Sequence, residues 1–307
     1  MKLQILSPGL QTTVQDRGRL GYQAAGIGVS GAMDREAYES ANYLVGNRRG
    51  EAALEMTLLG AAIRFDEDCV CALTGADMGA VLDGDAVERY RPFLVSEGQR
   101  LVMGYAAAGC RGYLAIQGGI DVPEVLGSRS TNLRCAMGGY EGRALRRGDI
   151  LSAPGGVDIT VLQRKRPVPV LEQTVTVCVV PGPQADAFTQ QGLRTLWEQP
   201  FVLSDKSDRM GFRLEGPAIE TVSGSDIVSD GITLGSIQVT SGGQPIILMA
   251  DRQTTGGYAK VGTVCSFDIP KLAQLRPGGL VRFDEISVEA AQRRYRRKRW
   301  RHFFEAI

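Results

Sequence analysis

A mostly β fold with few helices, divided into two subdomains, is what this sequence predicts. Three observations lead there. A chain of 307 residues is longer than a single compact core of ordinary size requires. Its 39 glycines, together with Asp, break it into short apolar runs separated by tight turns. Few stretches keep a helical period. Taken in order, the chain opens on a strand from Met1-Lys2-Leu3 that ends in the turn Leu6-Ser7-Pro8-Gly9. Met33, Ala37, Ala41, Leu44 and Val45 share one face, so Asp34–Val45 is expected to be helical. Ser30 or Asp34 caps that helix, Gly46-Asn47 ends it, and it is expected to lie across a barrel mouth. Strands follow at Ala61–Phe65, Val70–Leu73, Ala80–Leu82, Arg100–Gly104 and Gly112–Gln117, with Leu82-Asp83-Gly84-Asp85 as a hairpin turn. The charged, Pro-containing and aperiodic segment Gln163–Pro169 marks a boundary, giving subdomains 1–163 and 170–307. Beyond it come strands Thr174–Val180, Ile237–Thr240, Pro245–Met249 and Gly279–Phe283, and helices Ala185–Gln191, Ile269–Leu275 and Val288–Phe304.

Composition narrows the function. Lys+Arg of 35 against Asp+Glu of 34 gives no global field to draw the chain to nucleic acid or an anionic membrane, so neither is an expected partner. The start lacks a signal-peptide apolar core and the longest apolar runs, such as Ile246–Ala250, are too short to span a bilayer; a cytoplasmic protein is expected. Six cysteines without a CxxC pair read as reduced thiols, with Cys69 and Cys71 on one face of a strand. Histidine is the most useful exclusion: the single one, His302, lies in the basic tail. Ser-His-Asp and Cys-His catalysis, HExxH zinc sites and the 2-His-1-carboxylate triad are therefore disfavoured, and no metal site is expected. No phosphate loop or dinucleotide fingerprint can be placed. The run Arg293–Arg301 reads as a helix docked through Trp300, Phe303, Phe304 and Ile307 with its arginines in water, in preference to a nucleic-acid surface.

Two polar clusters carry the candidate chemistry. The first, Gln11 to Tyr22, sets Gln15, Asp16, Arg17, Arg19 and Tyr22 among close-approach glycines. It is either a solvated loop or a clamp in which an arginine presents paired donors to a planar carboxylate or ureido group. The second, Asp251 to Lys260, follows the apolar run Pro245–Met249 and offers Asp251, Arg252, Gln253, Thr254, Tyr258 and Lys260. Lysine is scarce here beside arginine, and a desolvated lysine can act as a base or stabilise an oxyanion; the alternative is an exposed hairpin lysine. Gly127–Thr131, with Ser128 and Arg129, is either an anion-holding turn or a capped surface turn. Ser207–Gly211 contains an Asp-Arg pair that can equally order a turn.

Taken together, Gln11–Tyr22, Ser30–Asp34, Ala41–Asn47, Gly118–Asp121, Gly127–Thr131, Ser207–Gly211, Ser229–Ile232 and Asp251–Lys260 make the chain resemble the biotin-dependent carboxyltransferase family from about Leu6 to Phe283. That family takes in 5-oxoprolinase and allophanate hydrolase subunits, the carboxyltransferase region of urea amidolyase, and an antagonist of a sensor-kinase inhibitor. The resemblance implies two cyclophilin-like β-barrel subdomains whose two polar loops face one cleft. It implies catalytic roles for Lys260, Tyr258, Asp251 and Asp16, and substrate contacts from Arg17, Arg19, Gln15, Tyr22, Arg252, Gln253, Thr254, Ser128 and Arg129. It also implies a subunit of an ATP-dependent 5-oxoprolinase, opening the 5-oxoproline lactam to glutamate. Its partners would be a companion subunit of the 5-oxoprolinase B or allophanate hydrolase 1 type and an A-type subunit, with ATP handled by the complex. No Met-Lys-Met biotin attachment site is present, so no cofactor is expected to be covalently bound. Two alternatives accompany this reading: a carboxyltransferase using carrier-borne biotin on urea or a similar amide, and a non-enzymatic antagonist of a kinase inhibitor.

Overall fold

The structure, a computed structural model, describes residues 1–304, and side chains as far as Lys298. It is mostly β. The chain divides into two compact units: unit 1 is Met1–Leu20 with Ser30–Leu171, and unit 2 is Gly21–Val29 with Glu172–Ile307.

Unit 1 is layered. One sheet runs in the order Ile150–Ser152, Lys2–Ser7, Ala62–Phe65, Arg100–Val102, Val81–Leu82, Asp85–Ala86, and the other in the order Gln11–Gln15, Ala53–Thr57, Ala108–Ile116, Cys69–Asp77, Pro92–Val95. Alternation along the strands decides which side chains meet. Leu3, Ile5, Ile63 and Leu101 from the first sheet and Leu54, Met56, Cys71 and Leu114 from the second close one core. The opposite face of the second sheet, through Ala53, Val70, Ala72, Tyr113 and Ala115, receives helix α1, Arg35–Leu44, by way of Ala37, Tyr38, Ala41 and Leu44. The helix therefore packs flat on a sheet and not across a barrel mouth, because strand Cys69–Asp77 is apolar on both faces and needs a cover on each. Asp34 caps α1 by accepting from the Ala37 amide at 2.9 Å. The hairpin turn forms as the sequence suggests: Asp83 and Gly84 take φ of 48° and 106°, both left-handed, and Val81–Leu82 pairs with Asp85–Ala86.

Unit 2 is a closed barrel in the order Thr174–Pro181, Lys260–Val264, Ser236–Val239, Pro245–Leu248, Gly211–Glu215, Phe201–Leu203, Leu280–Glu285, and the parallel pairing of its first and last strands completes it. A two-stranded ribbon, Asp226–Gly231 with Thr255–Tyr258, is separate from the barrel. The expected helix at Ala185–Gln191 is displaced. Ala185–Ala187 is a 3₁₀ turn, and helix α2 spans Gln190–Glu198, because Thr189 caps it through the Gly192 amide at 3.0 Å. Helix α3, Ile269–Ala273, and helix α4, Val288–Phe304, lie where they were expected. Ala290 and Ala291 of α4 pack against Cys178, Cys265 and Ile286, while Lys298 donates to the Phe267 carbonyl at 2.8 Å. The stripe expected from Trp300, Phe303, Phe304 and Ile307, and the side chain of His302, fall outside the described side chains. All six cysteines are free thiols, and Cys69 and Cys71 share a strand face with their sulfurs 3.6 Å apart. Among the described residues no helix is long and apolar enough to cross a membrane.

Candidate functional site

The two polar clusters fall in different units, with Gln11–Leu20 in unit 1 and both Tyr22 and Asp251–Lys260 in unit 2. In unit 1 the expected open loop begins as a buried strand: Gln11–Gln15 pairs with Ala53–Thr57 along its whole length. Two of its polar side chains find internal acceptors, which lowers the cost of burying so polar a segment: Thr12 donates to the Pro8 carbonyl at 2.6 Å, and Gln15 Nε2 donates to Thr13 Oγ1 and the Thr131 carbonyl, each at 3.1 Å. Asp16 follows as the hub of a network. Its Oδ1 accepts from the Gly18 amide at 2.8 Å, from Ser128 Oγ at 2.7 Å and from Ser130 Oγ, and its Oδ2 accepts from the Arg129 amide at 2.6 Å. Arg19, fully buried, donates through Nε to the Val125 carbonyl at 2.8 Å and through Nη2 to the Ser130 carbonyl at 2.9 Å. Arg129 turns away to the Val122 carbonyl and to Glu124, at 3.0 and 2.7 Å. Asp16, Arg19, Gln15, Ser128 and Arg129 are thus brought together, and what they hold is the segment Val122–Thr131. Arg17 stands apart on the surface, 3.2 Å from Glu39.

That segment forms a wall of a cavity of about 370 Å³ in unit 1, whose lining includes Asp121, Val122, Tyr140, Glu141, Ile150 and Ser152. Val125 and Gly138 also line it, and both abut Arg19: a Cβ on Gly138 would sit 2.6 Å from Arg19 Nη2. Asp121 of the Gly118–Asp121 motif lines this cavity, but none of the expected catalytic or substrate-contacting side chains does.

In unit 2 the Asp251–Lys260 segment leaves the barrel, pairs in the ribbon and re-enters it. Asp251 is buried and bonded in bidentate fashion to Arg209, Oδ2 to Nε at 2.9 Å and Oδ1 to Nη2 at 3.1 Å. Arg252 is 7% exposed; its Nη1 donates to the Met249 carbonyl at 3.2 Å and its Nε has no acceptor. Burial pushes its pKa down to about 10. Lys260, also buried, donates from Nζ to Asp230 Oδ2 and, at 3.1 Å, to the Gly231 carbonyl. That contact holds the Asp230 carboxyl below its ordinary range, helped by the Gly231 amide. The turn Pro181-Gly182-Pro183-Gln184 backs this residue. A Cβ on Gly182 would lie 2.1 Å from the Lys260 carbonyl oxygen, and Gln184 Oε1 accepts from the Lys260 amide at 3.2 Å. Tyr258 and Gln253 face solvent, and Thr254 is half-buried.

The partners of the two unit 2 ions, Arg209 and Asp230, come from Ser207–Gly211, where the sequence signalled an Asp-Arg turn, and from Ser229–Ile232, but in neither did it signal the residue served. A further buried cluster has no counterpart in the sequence reading: Glu55 Oε2 accepts from Tyr113 Oη and the Met33 amide, both at 2.8 Å, and Tyr113 Oη accepts from the Asp34 amide at 2.8 Å. Its signal was one carboxylate in the otherwise apolar strand Ala53–Thr57. Among the described residues no group of three or more His, Cys, Asp or Glu is placed to hold a metal ion.

Known proteins resemble this chain along nearly its whole length. Residues 25–285 match the family described as carboxyltransferase domain, subdomain A and B. The chain is 39% identical over 306 residues to the C-type subunit of 5-oxoprolinase from Escherichia coli (strain K12), covering 97% of this chain and 98% of that protein. It is 34% identical to urea amidolyase of Lachancea kluyveri over 94% of its own length, but spans 17% of that protein. The crystal structure of Kluyveromyces lactis urea carboxylase superposes with a TM-score of 0.87 at 32% identity, covering 95% of this chain and 28% of that one.

Proposed function

The chain belongs to the carboxyltransferase domain, subdomain A and B family, and from that membership we propose that it is the C-type subunit of a multi-subunit, ATP-dependent 5-oxoprolinase. The observation that carries the reading is the end-to-end match to the Escherichia coli 5-oxoprolinase protein, 97% of one chain against 98% of the other. The urea amidolyase relatives favour a second reading, a carboxyltransferase region acting on urea or a similar amide with carrier-borne biotin. They match this chain over a small part of their own length, 17% in the Lachancea kluyveri protein.

In the first reading the companion B-type and A-type subunits complete the enzyme and share the handling of ATP. Opening a lactam requires stabilising negative charge as it develops on the attacked carbonyl oxygen. The Lys260 ammonium suits that task. It is buried, aimed by Asp230 and the Gly231 carbonyl, and backed by a turn whose Gly182 packs directly on its main-chain carbonyl. Asp251 and Asp16 act as positioning residues in this reading, since their oxygens are filled by Arg209 and by four donors respectively. Co-expression with the companion subunits is expected to give ATP hydrolysis that depends on both 5-oxoproline and this chain, and Lys260→Ala to lower its kcat by about 100-fold. Equal rates with and without this chain would refute the assignment.

A further inference from the structure

Arg252 presents a problem of charge that the protein does not solve internally. Its sequence neighbour Asp251 is the obvious counter-ion, yet both Asp251 oxygens are bonded to Arg209 inside unit 2. The second anion of the segment's surroundings, Asp230, is bonded to Lys260. Among the described residues Arg252 makes no ion pair; one carbonyl accepts from Nη1 and none from Nε. A guanidinium that is 7% exposed and lacks a carboxylate is destabilising for the fold, because neither water nor a counter-charge compensates it. A ligand carrying the opposite charge would offset that cost.

We infer that Arg252 is the anion-receiving residue of unit 2, kept clear of protein carboxylates by the Arg209–Asp251 pair, and that it takes a small oxyanion through its free donor edge. The guanidinium fork matches a planar carboxylate in bidentate fashion, so the class favoured is a small carboxylic acid. Its assignment as the carboxylate of 5-oxoproline rests on the reading proposed above. The phosphate of a nucleotide is the other source of the same chemistry. The inference also fixes a sign that an ordinary buried ion pair does not have: removing this arginine strengthens the empty fold while removing its response to anions.

The test is thermal unfolding of the purified full-length chain and its Arg252→Met and Arg252→Lys variants. Each is titrated with 5-oxoproline, its neutral analogue 2-pyrrolidinone, acetate and inorganic phosphate. The wild type is expected to gain thermal stability with 5-oxoproline and not with 2-pyrrolidinone. Arg252→Met is expected to melt several degrees higher than the wild type without ligand and to show no gain with any anion. Arg252→Lys is expected to retain a response at least about 10-fold weaker in apparent Kd, since it loses the fork. An Arg252→Met protein that is less stable than the wild type, or fails to fold, overturns the inference, as does an undiminished response to 5-oxoproline in that variant. A wild-type response equal for acetate and 5-oxoproline, lost in Arg252→Met, upholds the anion site and counts against the 5-oxoprolinase reading. Phosphate as the strongest ligand assigns the site to a nucleotide. Loss of the 5-oxoproline response in Arg252→Met beside an unchanged phosphate response confines the site to carboxylates.

Discussion

The Asp16 loop of unit 1 and the Asp251–Lys260 segment of unit 2 look alike in sequence, each an acid and an arginine among glycines, but they treat their charges in opposite ways. Around Asp16 four donors meet the carboxylate, three at Oδ1 and one at Oδ2, all from the loop and the Ser128–Ser130 segment it grips. Beside Asp251 the acid is removed by Arg209, and the next residue is left as a buried cation whose pKa falls to about 10. A depression of that size corresponds to a penalty on the order of 3 kcal/mol. A carboxylate met by four donors specifies a structure, whereas a buried cation without a carboxylate leaves its charge uncompensated. Unit 1's loop builds the wall of a cavity, and the contrast agrees with the proposal that a ligand is met by unit 2's segment.

The largest effect that could break this contrast is at Asp16. Asp16→Ala leaves two backbone amides and two serine hydroxyls without their acceptor in a buried setting, and is expected to cost about 4–6 kcal/mol. Denaturant unfolding measures it; a loss below about 1 kcal/mol would mean the network is not structural. Next comes the Arg209–Asp251 pair. Breaking it from either side is expected to cost about 3–5 kcal/mol, because the remaining ion is buried alone. The double replacement Arg209→Met with Asp251→Leu is expected to recover most of that loss, so a double-mutant cycle reports strong coupling. The double variant should also keep its response to anions at Arg252, which separates holding the site open from holding the ligand.

How much of this was legible in the sequence depends on whether the signal was local. Helix α1 was legible because its cap Asp34 and its apolar face lie within a dozen residues of each other. The Asp83-Gly84 turn was legible for the same reason. The burial of Gln11–Gln15 was not, since what makes a polar strand an interior one is Thr131 and the Ala53–Thr57 strand, distant in the chain. Helix α2 begins about one turn later than the local pattern suggests, because Thr189 and the Phe188–Thr221 bridge outrank the apolar pattern near Ala185. At the candidate site the residue types could be read and their pairing could not. Asp251 next to Arg252 suggests a local pair, and only the fold shows that Arg209, forty-two positions earlier, takes the acid. Lys260 likewise finds its carboxylate thirty positions back, at Asp230.

The smallest effect sharpens the comparison most, because it lies between the two extremes. Lys260 is buried like Arg252 but has a partner, and that partner reaches solvent, with the Asp230 side chain 53% exposed. A carboxylate whose folded pKa is depressed contributes stability above its unfolded pKa and loses it as pH falls through the lower folded value. Asp230, held down first by Lys260 and then by the Gly231 amide, therefore supports this corner of unit 2 at neutral pH and releases it only in acid below the ordinary carboxylate range. Asp230→Asn removes that contribution at every pH and leaves the ammonium with the Gly231 carbonyl as its remaining acceptor. The amine is then held by one contact in place of two. The variant is expected to unfold at nearly the wild-type denaturant concentration, yet its Lys260 should be labelled faster by an amine-reactive reagent at mildly alkaline pH. Unchanged labelling would mean that the carbonyl and the Gln184 turn hold the ammonium without help from Asp230, and the half-way position of Lys260 between a satisfied ion and a waiting one would be lost.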